Sequence, residues 1–359
     1  MTADVEPGAD AAARGDVFEL PGLAFGPVTS WLLEHVEGTV APFAFDIIAG
    51  GHSNLTYLVT AADGARFVLR RPPLHHRLAS AHDVGREHRI IRALRDSAVP
   101  VPRALAYCAD HEVTGAPFFV MAFVDGHVVR DQATATRALT PPARALASES
   151  LVDTLAAIHG VDVAAAGLAD LSRHDGYIAR QLARWYGQWN LQHTRELREI
   201  DEVHAELTRR IPDQGPATIV HGDFRLDNCI VTSNGDVAAV LDWEICTLGD
   251  PLADVGLLQV YWTGPDDEPS AWAGQATAIE GFWNRAGLVD RYAAVSGRDV
   301  ADLDFYVAFG YWKLACILEG VYARYLGGAL GARDPTELAP FAEQITSAAR
   351  TAAALLERS

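Results

Sequence analysis

The first third of the chain alternates between apolar and polar positions, and the remainder shifts to helical spacing. Residues 43–48, 55–60 and 66–70 alternate, and Asp63-Gly64 supplies a turn between the last two, so the pattern predicts antiparallel strands. Ahead of them, Trp31, Leu32 and Val36 share one face of a short helix over 27–35 that packs on this region. Residues 79–95 carry Val84, Ile90, Ile91 and Leu94 among charges and predict a helix, which Val99-Pro100-Val101-Pro102 cannot extend. Strands over 104–108 and 117–124 follow, and Asp125-Gly126 breaks the pattern. Beyond that break the spacing predicts helices at 149–159, through the Trp- and Arg-rich stretch 176–210, at 302–326 and at 337–358. The expected organisation is an N-terminal extension with a short helix (1–40), a five-stranded antiparallel lobe with one helix (41–124) and a larger, mainly helical lobe (125–359). Residues 1–15, rich in Ala, Gly and acidic side chains, are expected to be disordered.

One segment of the helical part breaks its period. Ala217-Thr218-Ile219-Val220 leads into His221-Gly222-Asp223-Phe224-Arg225-Leu226-Asp227-Asn228, and Cys229-Ile230-Val231-Thr232 leads out. The turn Ser233-Asn234-Gly235-Asp236 then joins a second apolar run that ends at Leu241-Asp242-Trp243-Glu244. Turn residues usually sit in polar sequence, whereas these carboxylates bracket a small apolar hairpin, where a charge is costly unless paired or metal-bound. Asn228 lies five positions after Asp223 and Asp242 nineteen after it, the spacing at which kinases set a base and two Mg²⁺-holding groups.

Composition narrows the partners. The net charge of −18 gives no clustered Lys and Arg for phosphate neutralisation, so nucleic acid is excluded. No apolar run approaches the ~20 residues of a membrane span and the first residues lack a signal-peptide pattern, which predicts a soluble, cytoplasmic protein. Cys108, Cys229, Cys246 and Cys316 have no CxxC pairing and are expected to be small buried hydrophobes. Lys313 is the only lysine, which reads as a bias of the whole composition toward Arg.

These motifs, with Gly50-Gly51-His52-Ser53-Asn54-Leu55-Thr56-Tyr57, Val68-Leu69-Arg70-Arg71-Pro72-Pro73 and the run from Leu241 through Gly249-Asp250-Pro251-Leu252-Ala253-Asp254, resemble the aminoglycoside phosphotransferase and choline kinase branch of the protein-kinase-like fold. The subgroup matched best is the kinase domain of acyl-CoA dehydrogenase fusion proteins and its stand-alone relatives. The resemblance implies an α+β, bilobal protein-kinase-like fold and an ATP- and Mg²⁺-dependent kinase acting on a hydroxyl of a small molecule. By that resemblance Asp223 is the catalytic base or hydroxyl-orienting group, with Arg225 beside it facing the acceptor or neutralising the loop; Asn228 and Asp242 hold Mg²⁺. Gly51, Ser53 and Asn54 approach the phosphates, and Arg70, paired with Glu87, stands where kinases place a phosphate-gripping Lys, unless the role passes to Arg71. Met121 abuts the adenine, with backbone groups of Ala122 and Val124 hydrogen-bonding it. His221 is expected to be structural, Asp254 to brace the loop and Asp250 to cap a turn or helix. The Trp185, Trp189 and Trp262 region shapes an acceptor pocket or the lobe core. The subgroup points to a hydroxyacyl acceptor, such as a CoA thioester, with Arg71, His75, His76 and Arg77 as a basic cluster; an aminoglycoside or other antibiotic is the alternative acceptor. A nucleotide-binding pseudokinase and a metal-dependent hydrolase using His221 are the rival classes, and a homodimer is left open.

Overall fold

A computed structural model describes residues 20–48, 54–74, 83–173, 175–267, 275–328 and 335–358. The expectations for residues 1–15, for Gly51 and Ser53, and for His75, His76 and Arg77 therefore lie outside the described residues. Two compact units emerge: residues 1–126 with 238–245, and residues 127–237 with 246–359.

In the first unit, β1 (Ala44–Ile47), β2 (Leu55–Thr60), β3 (Arg66–Arg71), β4 (Ala104–Cys108) and β5 (Phe118–Ala122) form an antiparallel sheet in the order β1-β2-β3-β5-β4. Side chains along a strand alternate between faces. Tyr57, Val59, Leu69, Phe118 and Val120 thus share one face, and α1 (Phe25–His35) buries Val28, Trp31 and Leu32 against it. Arg70 and Phe119 point the other way, toward α2 (Val84–Leu94), whose His88 ring lies 5.9 Å from Phe119. Asp83 caps the start of α2 by accepting from the Arg86 N–H, and the part of the expected helix at 79–82 lies outside the described residues. A single turn, α3 (His111–Thr114), has too few residues to carry a helical period in the sequence.

The second unit is mainly helical: α4 (Gln132–Ala138), α5 (Pro141–His159), α6 (Tyr177–Gln192), α7 (Arg198–Arg209), α8 (Leu252–Tyr261), α9 (Arg285–Ser296), α10 (Leu303–Leu326) and α11 (Pro335–Arg358). The predicted stretch 176–210 is two helices, α6 ending where the His193 N–H bonds the Trp189 carbonyl. α10 is apolar on most of its circumference and packs against α6, α7, α8 and α11, so it is the centre of this unit. Its crossing with α8 is close: a Cβ added at Gly256 would lie 2.6 Å from Tyr306 backbone atoms. The buried strand β6 (Thr218–Val220) pairs antiparallel with β9 (Thr247–Gly249), and β7 (Cys229–Val231) and β8 (Val237–Val240) lie between them in sequence. All four cysteines are free and buried, as expected.

Candidate active site

Within the first unit, strand alternation separates the two arginines at the end of β3. Arg71, 4% exposed, donates to the carbonyls of Gly22 and Thr114 (3.0 Å for the latter), so it belongs to the packing around α1 and α3. The expected basic cluster therefore loses Arg71. Arg70 faces α2, with its Nε 3.0 Å from Glu87 Oε2 and an Nη 2.5 Å from Asp242 Oδ1. Glu244 Oε2 stands 4.0 Å away, so three carboxylates surround one guanidinium. Burial pushes the Glu87 carboxyl up to about 7, with Arg70 opposing the rise. Arg70 itself is held above its ordinary range; burial lowers it, but Glu87, Asp242 and Glu244 outweigh that.

Asp242 follows β8 in a left-handed conformation, φ 65°, one of two non-glycine residues so placed among the described residues. Asp tolerates this region better than most side chains, and such outliers cluster at functional sites. Asn54 is buried and donates to Glu244 Oε2 at 3.1 Å. One of its amide N–H groups is thus engaged with a carboxylate beside Arg70. Met121 is 6% exposed on β5. The Ala122 N–H donates to the Arg103 carbonyl at 2.8 Å, which leaves the Ala122 carbonyl as the backbone group for the expected adenine contact. Val124 follows the strand and is half-buried.

Within the second unit, the loop after β6 is organised from below by a carboxylate. Asp254, in the first turn of α8 and 1% exposed, accepts from the backbone N–H of His221 (2.6 Å) and of Gly222 (2.8 Å). Its other neighbour is His159 on α5, 3.3 Å away, whose Nδ1 meets the Tyr292 hydroxyl at 2.7 Å. Burial would raise the Asp254 carboxyl, but the hydrogen bond from His159, with further help from the Gly222 N–H, holds it below the usual range. Burial lowers His159, so it sits neutral and donates Nε2–H. Gly222 has φ 86°, a conformation its loop position needs and that a side chain would oppose.

Past this anchor, Asn228 closes the loop on Asp223. Its Nδ2 donates to the Asp223 carbonyl (2.8 Å) and to Oδ2 (2.9 Å). His221 is fully buried and its Nδ1 accepts from the Asp223 N–H at 3.3 Å, the structural role expected of it. Arg225 Nε lies 3.4 Å from Asp223 and 3.1 Å from Asp227, and its guanidinium stacks over Tyr261 at 4.9 Å. Arg225, Asp227, Arg130, Tyr261, Trp262 and Thr277 line a pocket against this loop. Asp250 accepts from the Leu252 N–H at the start of α8 and from the Tyr306 hydroxyl, so it caps as expected. Trp189 is core, whereas Trp185 carries two cations on its ring: Arg184 at 5.1 Å and Lys313 at 5.7 Å.

Glu244, Asp227, Tyr261, His159 and Lys313 were not singled out as site residues by sequence. Glu244 and Asp227 sit inside the motifs, so proximity was their signal; a lone lysine in an apolar helix was the signal at 313.

The short buried strand β6 thus leads into an Asp–Asn loop anchored by Asp254. The chain belongs to the phosphotransferase enzyme family, whose model matches residues 45–295. That family is one of enzymes. A solved structure of a protein described as a putative aminoglycoside phosphotransferase from Ralstonia eutropha is 31% identical, with TM-score 0.78, covering 92% of this chain and 98% of that one. An aminoglycoside phosphotransferase solved with AMP-PNP and hygromycin B shares the fold at 17% identity, TM-score 0.59, covering 92% of this chain and 98% of that one. Acyl-CoA dehydrogenase family member 10 of Mus musculus is 35% identical over 298 residues, 82% of this chain. The chain spans only 27% of that relative's length.

Proposed function

We propose that the protein is an ATP- and Mg²⁺-dependent kinase that phosphorylates a hydroxyl of a small anionic acceptor, with a hydroxyacyl-CoA as the acceptor class. The observation that carries this reading is the Asp223 carboxylate, held by Asn228 and flanked by Arg225. In that role Asp223 takes the hydroxyl proton as the acceptor oxygen bonds to the γ-phosphorus and the bond to the ADP oxygen breaks. Positioning and charge neutralisation supply most of the rate. ATP is supported by the AMP-PNP carried by a protein of the same fold.

The residues present suit Mg²⁺. Asn228 and Asp242 keep the metal-holding roles expected of their spacing, and both offer hard oxygen donors. With the Asn228 amide nitrogen engaged by Asp223, its Oδ1 is the atom left for a cation. Among the described residues no group of three or more His, Cys, Asp or Glu is placed to hold a metal. Mg²⁺ draws most of its ligands from phosphates and water, so two protein oxygen donors are enough for it. Bound there, it would neutralise charge on the transferring group. Arg70, with Glu87, is assigned the nucleotide phosphates, and Gly51, Ser53, Asn54, Met121, Ala122 and Val124 the remaining nucleotide contacts.

The acceptor class rests on charge. The described lining of the pocket beside Asp223 carries Arg130 and Arg225 against Asp227, a balance that suits an anion over a polycation. The test is ADP release by the purified protein with ATP and Mg²⁺ against hydroxyacyl-CoAs, aminoglycosides and amino alcohols. Turnover is expected with the hydroxyacyl-CoAs. Turnover confined to aminoglycosides would overturn the acceptor class, and nucleotide binding with no turnover of any acceptor would favour a pseudokinase.

A further inference from the structure

Lys313 stands on α10 between Trp312 and Leu314, in a largely apolar helix at the centre of the second unit. Twenty-eight of the 29 basic residues counted as Lys or Arg are Arg, yet this position is Lys. Its Nζ lies 3.4 Å from the Gly222 carbonyl, the peptide that leads into Asp223. Gly222 is held from the other side by Asp254, through its N–H. The loop peptide is thus gripped at both ends, by a carboxylate from α8 and an ammonium from α10. Lys313 also lines a small enclosed space with Tyr177, Gly222, Asp254 and Phe309.

Burying an ammonium is costly unless it does something that a hydrophobe cannot. Packing alone would accept Met or Leu here. A guanidinium is larger and planar, whereas an ammonium is a compact donor that fits beneath a single carbonyl. The close α8–α10 crossing at Gly256 sets α10 close against α8, the helix that carries Asp254.

We propose that Lys313 is a positioning residue for phosphoryl transfer: its ammonium holds the Gly222 carbonyl and supplies the positive charge that both the Asp223 and Asp254 carboxylates face. It fixes the direction of the Asp223 backbone without touching the substrates. Asp223 from the loop and Asp254 from α8 favour its charged form, while burial and Arg184 from α6 oppose it. Burial wins, so Lys313 titrates below the ordinary lysine value. Its charged form therefore costs stability, and that cost is relieved as pH rises through its folded pKa toward the ordinary lysine value.

Function and stability should then respond in opposite directions. In Lys313→Met, kcat is expected to fall roughly ten- to hundredfold, as a misplaced catalytic group causes. The KM for ATP stays within about twofold, and the thermal midpoint is unchanged or higher. A wild-type kcat in Lys313→Met would overturn the proposal, as would a fall in kcat matched by a fall in thermal midpoint, which marks a packing role. A second measurement uses the folded wild type. Because the chain has one lysine, ¹³Cε-lysine labelling gives a single side-chain signal. It should titrate below 10.5, and lower still in Asp223→Asn, which removes a facing charge. An ordinary pKa, or one indifferent to Asp223→Asn, would contradict the link to the loop.

Discussion

Arg70 and Arg71 are neighbours in sequence and strangers in the sheet, because successive side chains of β3 leave opposite faces. The strand-then-helix order made an Arg70–Glu87 pair legible in sequence. The two arginines were not separable there, since the segment that accepts from Arg71 lies around Gly22, 49 positions earlier, and nothing local announces it. The same limit hid the Asn54–Glu244 bond, which spans 190 positions. Arg70→Ala and Glu87→Ala should each lower kcat/KM for ATP, and the double variant should cost less than the sum. The coupling expected for groups in contact is about 0.5–3 kcal/mol, read from a double-mutant cycle in kcat/KM. Additive losses would show that the pair does not act as a unit.

At the scale of elements, the strands and long helices were visible as periods, but the support beneath the catalytic loop was not. Asp254 was marked by its motif, whereas His159, at the end of α5, meets it across 95 positions. Their pH dependence has a definite sign. Because His159 is lowered in the fold, the unfolded chain takes up that proton first as pH falls below about 6.5, and stability drops. Asp254 adds stability above its unfolded pKa near 3.9 and loses it as pH falls through its lower folded value. Glu87 acts in the opposite sense, since its raised value makes stability fall as pH rises from 4.5 to about 7. The comparison therefore uses a variant. Urea unfolding of His159→Gln should show a weaker loss of stability below pH 6.5 than wild type, and equal slopes would contradict a neutral buried His159. Asp254→Asn should cost about 1–3 kcal/mol, the penalty for leaving a buried donor of the His221, Gly222 and His159 set unsatisfied. At the α8–α10 crossing, Gly256→Ala should cost about 1–3 kcal/mol by overpacking, measured the same way.

For the whole molecule, the five-stranded lobe and the helical lobe followed from periodicity, and the second crossing of the chain, which brings 238–245 into the first unit, did not. A short apolar strand reads alike wherever it ends up, so composition marks no boundary there. Net charge of −18 says nothing of the acceptor, because the cations that matter, Arg225, Arg130 and Lys313, are a local minority. The make-up of the loop, by contrast, was legible almost complete, since Asp223, Asn228 and the Asp254 that anchors it lie in short motifs. The claim on which everything else depends is that Asp223 acts on the acceptor hydroxyl. Asp223→Asn keeps the size of the side chain and removes its charge. Phosphoryl transfer and nucleotide binding measured on this variant, with His221→Gln alongside, should show ATP affinity nearly intact and kcat lower by about 10²–10⁴-fold, the cost of losing a general base. Transfer at the wild-type rate by Asp223→Asn, or a greater loss in His221→Gln, would contradict the account.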